Sequence, residues 1–167
     1  MNTRFARIAF FLAIAAALTA LIRLMPTEED RIRGVILKAR AAISSENRTK
    51  SPLDTLARVG ELTACLTRDI IVNVDVFSLG AGSLQGAEEV RGAVLALPQV
   101  YPELKVRFDD IRITLEDPLQ ARAWFVATIT PKDRESSGAQ EFALSLRRID
   151  GRWFISRIET VRSLKSQ

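Results

Sequence analysis

Apolar and polar residues alternate most regularly near the C-terminus, on both sides of an Asp-Gly pair. Apolar residues occupy every second position from Phe142 to Leu146 and again from Trp153 to Ile155, and Asp150-Gly151 lies between the two runs. An Asp-Gly pair in this setting is typical of a two-residue β-hairpin turn, because both turn residues need a positive φ. The pattern therefore predicts paired strands at residues 141–149 and 152–161.

Earlier segments show the same alternation. Residues 70–77 place β-branched residues on one face of a strand and Asn73 and Asp75 on the other. A second segment, residues 104–115, changes phase at Asp109-Asp110, which predicts a β-bulge or a sharp bend. The remaining assignments are a strand at 120–130 after a turn at Asp117-Pro118, and a glycine-bearing loop at Ser78–Gly86.

Helical periodicity predicts three helices. The first begins at Thr27, an N-cap residue that is followed by Asp30 at the capping-box position. The second begins with Ser51-Pro52 and carries apolar residues at helical spacing as far as Leu66. The third covers residues 87–97 and is expected to stop at the proline that follows, because proline has no N–H to donate to the helix.

An uninterrupted apolar run occupies residues 8–22. As a helix it would be about 22 Å long, shorter than the roughly 30 Å hydrocarbon core of a bilayer. Residues 5–25 would be long enough if Arg7 and Arg23 extend to the two interfaces. We therefore predict an uncleaved signal anchor that spans the membrane once through residues 5–25. A cleavable signal peptide is the alternative, because Ala15–Ala17 supplies small residues for a cleavage site.

The charges that flank this run predict its orientation. Arg4 and Arg7 precede it, whereas Glu28, Glu29 and Asp30 follow it. The positive-inside rule then keeps the N-terminus in the cytoplasm. We expect a single-pass protein of the inner or plasma membrane, with its C-terminal domain periplasmic or extracellular. A cleaved leader would place that domain on the same side.

The composition argues against several functions. Three of the 24 basic residues lie in residues 1–25, so residues 26–167 hold 21 basic and 20 acidic side chains. This near-neutral balance does not favour nucleic-acid binding. The chain has no histidine, the most common general base and zinc ligand, and its one cysteine, Cys65, is expected to be a buried core thiol. We expect no metal site and no cofactor.

The order of these elements predicts an α+β fold. We expect a bent, cone-shaped antiparallel sheet, made of a four-strand meander and one earlier strand, packed against two or three N-terminal helices and preceded by one transmembrane helix. The predicted divisions of the chain are the anchor at 1–26, the α+β domain at 27–163 and a tail at 164–167.

Three local sequences resemble the nuclear transport factor two-like superfamily, also called SnoaL-like or cystatin-like. They are the run Leu66–Val76, the helix start Gly86–Val90, and the closing hairpin Arg148–Ile158, RIDGRWFISRI. The resemblance covers about residues 28–163 and implies the cone-shaped fold, with a homodimer formed through the outer face of the sheet. The superfamily hosts isomerases, dehydratases, cyclases and non-enzymatic modules, so the resemblance specifies the fold better than the function.

Enzymes of this superfamily place an acid, a tyrosine or a histidine inside the cone, and no catalytic motif of theirs can be matched in this chain. The arrangement of an anchor followed by such a domain also resembles the inner-membrane assembly factors of type IV secretion systems. This second resemblance concerns layout only.

Seven residues are candidates for a ligand site in the cone. Asp75 could serve as a general base if its face of the strand lines a pocket, and the alternative is that this face meets solvent. Arg157 and Glu159 continue the parity of Trp153, so with Arg148 they could bind an anion at a pocket mouth or form ion pairs at the rim of the sheet. The full candidate set is Asn73, Asp75, Trp124, Arg148, Trp153, Arg157 and Glu159.

Two functions are compatible with these observations. The first is a membrane-tethered, non-enzymatic module that binds a small ligand or a protein partner outside the cytoplasm. The second is a small lyase, isomerase or hydrolase that acts on an apolar or anionic molecule in the cone, with Asp75 as base. The missing histidine and the lack of a convergent acid–base set favour the first.

Overall fold

The structure is a computed structural model, and it describes residues 26–44, 52–76, 80–100, 104–131 and 138–161. In chain order the elements are α1 (Glu28–Ile43), α2 (Pro52–Thr63), β1 (Leu66–Val76), β2 (Gly80–Gln85), α3 (Ala87–Val100), β3 (Leu104–Asp117), β4 (Gln120–Pro131), β5 (Gly138–Ile149) and β6 (Arg152–Thr160).

The strands form one six-stranded sheet in the order β2-β1-β6-β5-β4-β3. Neighbouring strands are antiparallel except for β1 and β6, which run parallel. Helix α1 packs against β3 and β6, α3 packs against β1 and β2, and α2 contacts both of the other helices. The predicted α+β fold is confirmed, and the sheet has one strand more than we expected.

The first helix is set by its cap and by its apolar face. The Thr27 hydroxyl accepts a hydrogen bond from the Asp30 backbone N–H, and the Asp30 carboxylate accepts one from the Thr27 backbone, which completes the predicted capping box. Ile32 and Ile36 are fully buried one turn apart and belong to the core that α1 shares with the sheet.

Two backbone features predicted from the sequence are confirmed. Asp150 and Gly151 have φ values of 49° and 77°, as a two-residue hairpin turn requires, and Ile149 pairs with Arg152 across it. In β3 the pairing with β4 shifts by one residue after Asp109, and Asp110 has a φ of 55°. This bulge returns the apolar residues of β3 to the helix-facing side of the sheet.

Three predicted boundaries were wrong. Helix α2 ends at Thr63 and Leu66 already belongs to β1, so the end of the helical spacing was misassigned by one turn. Residues 80–85, predicted to be loop, form strand β2, because every one of them pairs with a residue of β1. Helix α3 continues past Pro98 to Val100, since a proline removes one backbone donor but keeps a helical φ.

The predicted anchor at residues 5–25 lies outside the described residues. Among the residues that the structure does describe, no helix has both the length and the apolar character needed to cross a bilayer. Cys65 lies between α2 and β1 and is 6% exposed, which confirms the expected buried thiol. Burial raises the pKa of this thiol.

Candidate functional site

A cavity of about 290 Å³ lies between the three helices and the sheet. All three helices and all six strands contribute to its wall: Ile36 and Ala39 come from α1, Val94 from α3, and Phe125 and Leu144 from β4 and β5. Every described side chain that lines the cavity is Ala, Val, Leu, Ile or Phe. The arrangement can therefore shelter an apolar molecule, but among these described residues it offers no proton donor or acceptor from a side chain.

Three phenylalanines make an aromatic wall on the sheet side of the cavity. The rings of Phe108 and Phe125 lie 4.2 Å apart between centroids, and those of Phe125 and Phe142 lie 5.7 Å apart and stack. The three residues come from adjacent strands, and Phe108 faces the cavity together with Val106, two residues earlier on β3. Such a wall offers a flat apolar surface to a ligand.

Solvent reaches the lining along α3. Ala93 is exposed, and Val94 and Leu97 of the same helix are half-buried. Val74 and Leu84, on the facing β1–β2 hairpin, are half-buried as well. These residues place one solvent-accessible part of the lining where α3 meets the β1–β2 hairpin.

Asp75 does not line the cavity. Its neighbours Val72 and Val74 do, so alternation along β1 turns Asp75 to the opposite face, where it is exposed. Asn73 lies on the same outer face, and its Oδ1 accepts a hydrogen bond from the Ser83 hydroxyl at 2.8 Å. Asp75 is therefore not in the position that a base inside the cone would need.

Arg157 and Glu159 also lie away from the cavity. The prediction that they share the face of Trp153 was wrong. Pairing between β5 and β6 shifts at Ser156, so one extra residue in β6 reverses the faces beyond it. Ile158 consequently lines the cavity, and Arg157 and Glu159 turn outward. Their Nη1 and Oε1 atoms are 2.9 Å apart, which agrees with the ion-pair alternative.

The two tryptophans are not part of the lining. Trp124 is half-buried on the face opposite to its neighbours Ala123 and Phe125, which are buried. Trp153 is 5% exposed in the core, and its Nε1–H donates to Glu28 Oε2 at 2.7 Å. Thus none of the seven candidate residues lines the cavity.

Glu28 is the residue that joins two of these candidates. Besides Trp153, it pairs with Arg148 at 3.4 Å and with Arg31 at 3.1 Å. The hydrogen bond from Trp153 lowers the pKa of Glu28, partial burial opposes this, and Arg148 and Arg31 lower the pKa further. In the sequence Glu28 is an ordinary acid in the first turn of a helix, and no local signal marks its contacts with β5 and β6.

No family model matches the chain, and no curated protein matches it. Solved structures do. A protein of unknown function with a cystatin-like fold from Nostoc punctiforme superimposes with a TM-score of 0.59 at 17% identity, over 86% of this chain and 100% of that one. An NTF2-like protein of unknown function from Pseudomonas putida gives 0.61 at 14% identity, over 81% and 88% of the two chains.

An NTF2-like protein with a cystatin-like fold from Novosphingobium aromaticivorans gives a TM-score of 0.59 at 15% identity. The match covers 92% of this chain and 90% of that one. At these identities the comparisons show the fold alone: the chain has the NTF2-like, cystatin-like fold that its local sequences resemble. They leave the function to be argued from the cavity and the surface.

Proposed function

We propose that the protein is a membrane-tethered, non-enzymatic module that binds a small apolar molecule in the cavity. The observation that carries the proposal is the lining, because all of its described side chains are aliphatic or aromatic. Moving apolar ligand surface from water into such a cavity is favourable by about 25 cal/mol per Å². The volume of about 290 Å³ lies near the lower end of the range of roughly 300–1,000 Å³ for ligand pockets.

The lining also restricts the class of ligand. An ionised group inside the cavity would lose its hydration without a described side chain to pair with it, which costs several kcal/mol or more. The part of the ligand that enters is therefore a short alkyl chain or a small ring. A polar group of the ligand, where there is one, belongs at the opening beside Ala93 and Leu97, where solvent is present.

The enzymatic alternative has less support. A lyase, isomerase or hydrolase working in the cavity needs a group that moves a proton or steadies a developing charge. The candidate base Asp75 lies on the outer face, and Arg148 and Arg157 are engaged with Glu28 and Glu159. The non-enzymatic function therefore remains our proposal, and its tether rests on the apolar segment at residues 5–25.

A matched pair of substitutions on α3 tests the ligand site. Ala93 and Ala96 are both exposed alanines on this helix, but only Ala93 lines the cavity. The full chain, reconstituted in lipid vesicles, is photolabelled with an alkyl diazirine and digested, and the labelled peptides are located by mass spectrometry. We expect labels on cavity residues such as Phe125 and Leu144, several-fold fewer of them in Ala93→Trp, and an unchanged number in Ala96→Trp.

One outcome would contradict the ligand site, and another would contradict entry beside Ala93. Labelling confined to the outer face of the sheet would show that the cavity does not take up the probe. Equal labelling of Phe125 in Ala93→Trp and Ala96→Trp would show that the probe does not pass Ala93. Because both alanines are exposed, a tryptophan at either position leaves the core packing in place, and a melting curve of each variant checks this.

A further inference from the structure

Three large apolar side chains are exposed at one end of the sheet. Leu119 is 60% exposed, Ile149 is 44% exposed and Leu115 is 43% exposed. Leu119 forms part of the turn between β3 and β4, Ile149 precedes the turn between β5 and β6, and Leu115 lies near the end of β3. We call these three residues the hairpin end.

Backbone contacts hold the two turns together. The Arg148 N–H donates to the carbonyl oxygen of Leu119 at 2.7 Å, and Gln120 is paired with Arg147 in the sheet. Leu119 and Ile149 are therefore neighbours on a rigid edge rather than the tips of two independent loops. A rigid edge can present its apolar side chains to a surface without first being ordered.

The start of α1 lies beside the hairpin end. Glu28, the first residue of the helix, binds Arg148 and Trp153 of the β5–β6 hairpin. The predicted membrane segment ends at Met25, three residues earlier. Three residues span at most about 10 Å even when fully extended, so an anchor at residues 5–25 leaves this end of the domain no room to move far from the bilayer.

The basic side chains near the hairpin end are mostly paired with acids, and no excess of positive charge remains among the described residues. Arg122 pairs with Glu116 at 3.2 Å, Arg147 with Asp69, and Arg148 with Glu28. The other described charged groups at this end include Arg152, which lies over the ring of Phe154, and the exposed carboxylates of Asp117, Asp150, Glu29 and Asp30. Attraction to anionic lipids is therefore not the source of binding, and the apolar side chains are.

From this placement we propose that the hairpin end lies in the interface of the bilayer into which residues 5–25 insert, with Leu119 and Ile149 among the acyl chains. This contact rests on the tether of the proposed function and adds a second contact with the membrane. The surface that it fits is that of a zwitterionic bilayer. Burying these apolar side chains among the acyl chains is favourable and holds the anchored domain in one orientation.

The same orientation points the cavity away from the membrane. Strand β4 begins at Gln120 beside the hairpin end, and its first residue in the cavity lining is Phe125, five residues further on. Strand β6 begins at Arg152, and its first lining residue is Ile155, three residues further on. At about 3.3 Å per residue these separations are about 17 and 10 Å, so the cavity lies on the aqueous side of the hairpin end.

Site-directed labelling of the full chain tests the inference. In a Cys65→Ala background, cysteine is placed at Leu119, at Ile149 or at Leu56, a control residue on α2 that is 53% exposed. Each variant is labelled with an environment-sensitive fluorophore and reconstituted in phosphatidylcholine vesicles. We expect spin-labelled lipids to quench the labels at 119 and 149. We expect aqueous iodide to quench these two labels several-fold less than it quenches the label at 56.

Each outcome of this experiment decides between two claims. A protein that floats with the vesicles but whose three labels are equally open to iodide overturns the inference and leaves the tether in place. Equal shielding of all three labels overturns the orientation as well, since Leu56 belongs to another element. A protein that does not float removes both the tether and the inference. Shielding that requires added protein, rather than lipid, assigns the hairpin end to a protein partner and contradicts the proposal.

Discussion

Glu28 connects the first helix to the last hairpin through its side-chain carboxylate. Its carboxylate accepts from the indole of Trp153 at 2.7 Å and pairs with Arg148 and Arg31. Glu88 provides a matched control, because it also lies in the first turn of a helix and pairs with the arginine three residues later. Glu88 has no described contact with the sheet side chains and is 85% exposed.

Replacing Glu28 with Gln should lower the melting temperature at neutral pH, whereas Glu88→Gln should leave it nearly unchanged. In the folded protein the pKa of Glu28 lies below its ordinary value of 4.5, so the charged form is the one that stabilises. The stabilisation is fully present above about pH 4.5 and disappears as the pH falls through the lowered pKa. Thermal melts of both variants across this range measure the difference, and a difference that grows on acidification would contradict the assignment.

At the same scale, Asp75 shows where reading single residues fails. The alternation of residues 70–77 correctly separated Asn73 and Asp75 from the valines. It could not show which face meets the helices, because that depends on α1 and α3, which pack from elsewhere in the chain. The apolar face of β1 packs against the helices, because burying apolar surface is favourable, and Asn73 and Asp75 lie on the opposite face.

Among the elements, the β5–β6 turn allows the sharpest test. Gly151 has a φ of 77°, which an L-residue with a side chain adopts at a cost of roughly 1–2 kcal/mol. Gly151→Ala should therefore destabilise the protein by about 1 kcal/mol in denaturant unfolding. Gly92 lies exposed inside α3, and no atom lies within 4 Å of the position that a Cβ would take. Gly92→Ala should therefore raise the free energy of unfolding by about 0.5–1 kcal/mol, because alanine favours a helix more than glycine does. Equal effects of the two substitutions would contradict the turn geometry.

The two bulges show which element features a sequence reveals. The bulge in β3 was predictable, because the apolar alternation changes phase at Asp109-Asp110 and the structure restores it. The bulge at Ser156 was not, because Trp153 and Ile155 keep one phase and Ile158 begins another, with only Ser156 and Arg157 between them. Strand β2 was missed for a different reason: glycine and serine have low strand propensity, and pairing with β1 outweighs it.

At the scale of the whole molecule, the parallel pairing of β1 with β6 completes the cavity. Val72 lies opposite Ile158 across that pairing, and both line the cavity. The two strands are about eighty residues apart in the chain, and parallel strands leave no hairpin signal in the sequence. The sequence patterns therefore predicted most strands and the class of fold, whereas the enclosed apolar space follows from a contact that they could not indicate.

The tether also belongs to the whole molecule, and it is the prediction on which orientation and compartment depend. We expect the full chain to remain in the membrane pellet after alkaline extraction. An arginine in the middle of the apolar run, Ala16→Arg, should release the protein, because a charge at a helix centre costs about 2.5–3.5 kcal/mol. The matched variant Ala6→Arg, at the edge beside Arg7, should stay in the pellet, since its side chain can reach the interface.

The N-terminus of the membrane-bound protein decides between the two forms of leader. An uncleaved anchor keeps residues 1–17, including Arg4 and Arg7, on the mature chain. A mature N-terminus between residues 18 and 27 would indicate a signal peptide and contradict the tether. The domain would then be released with the same fold and the same cavity, because no described element begins before Glu28. The hairpin end would lose the anchor that holds it to the bilayer, and ligand binding would have to be explained without a membrane nearby.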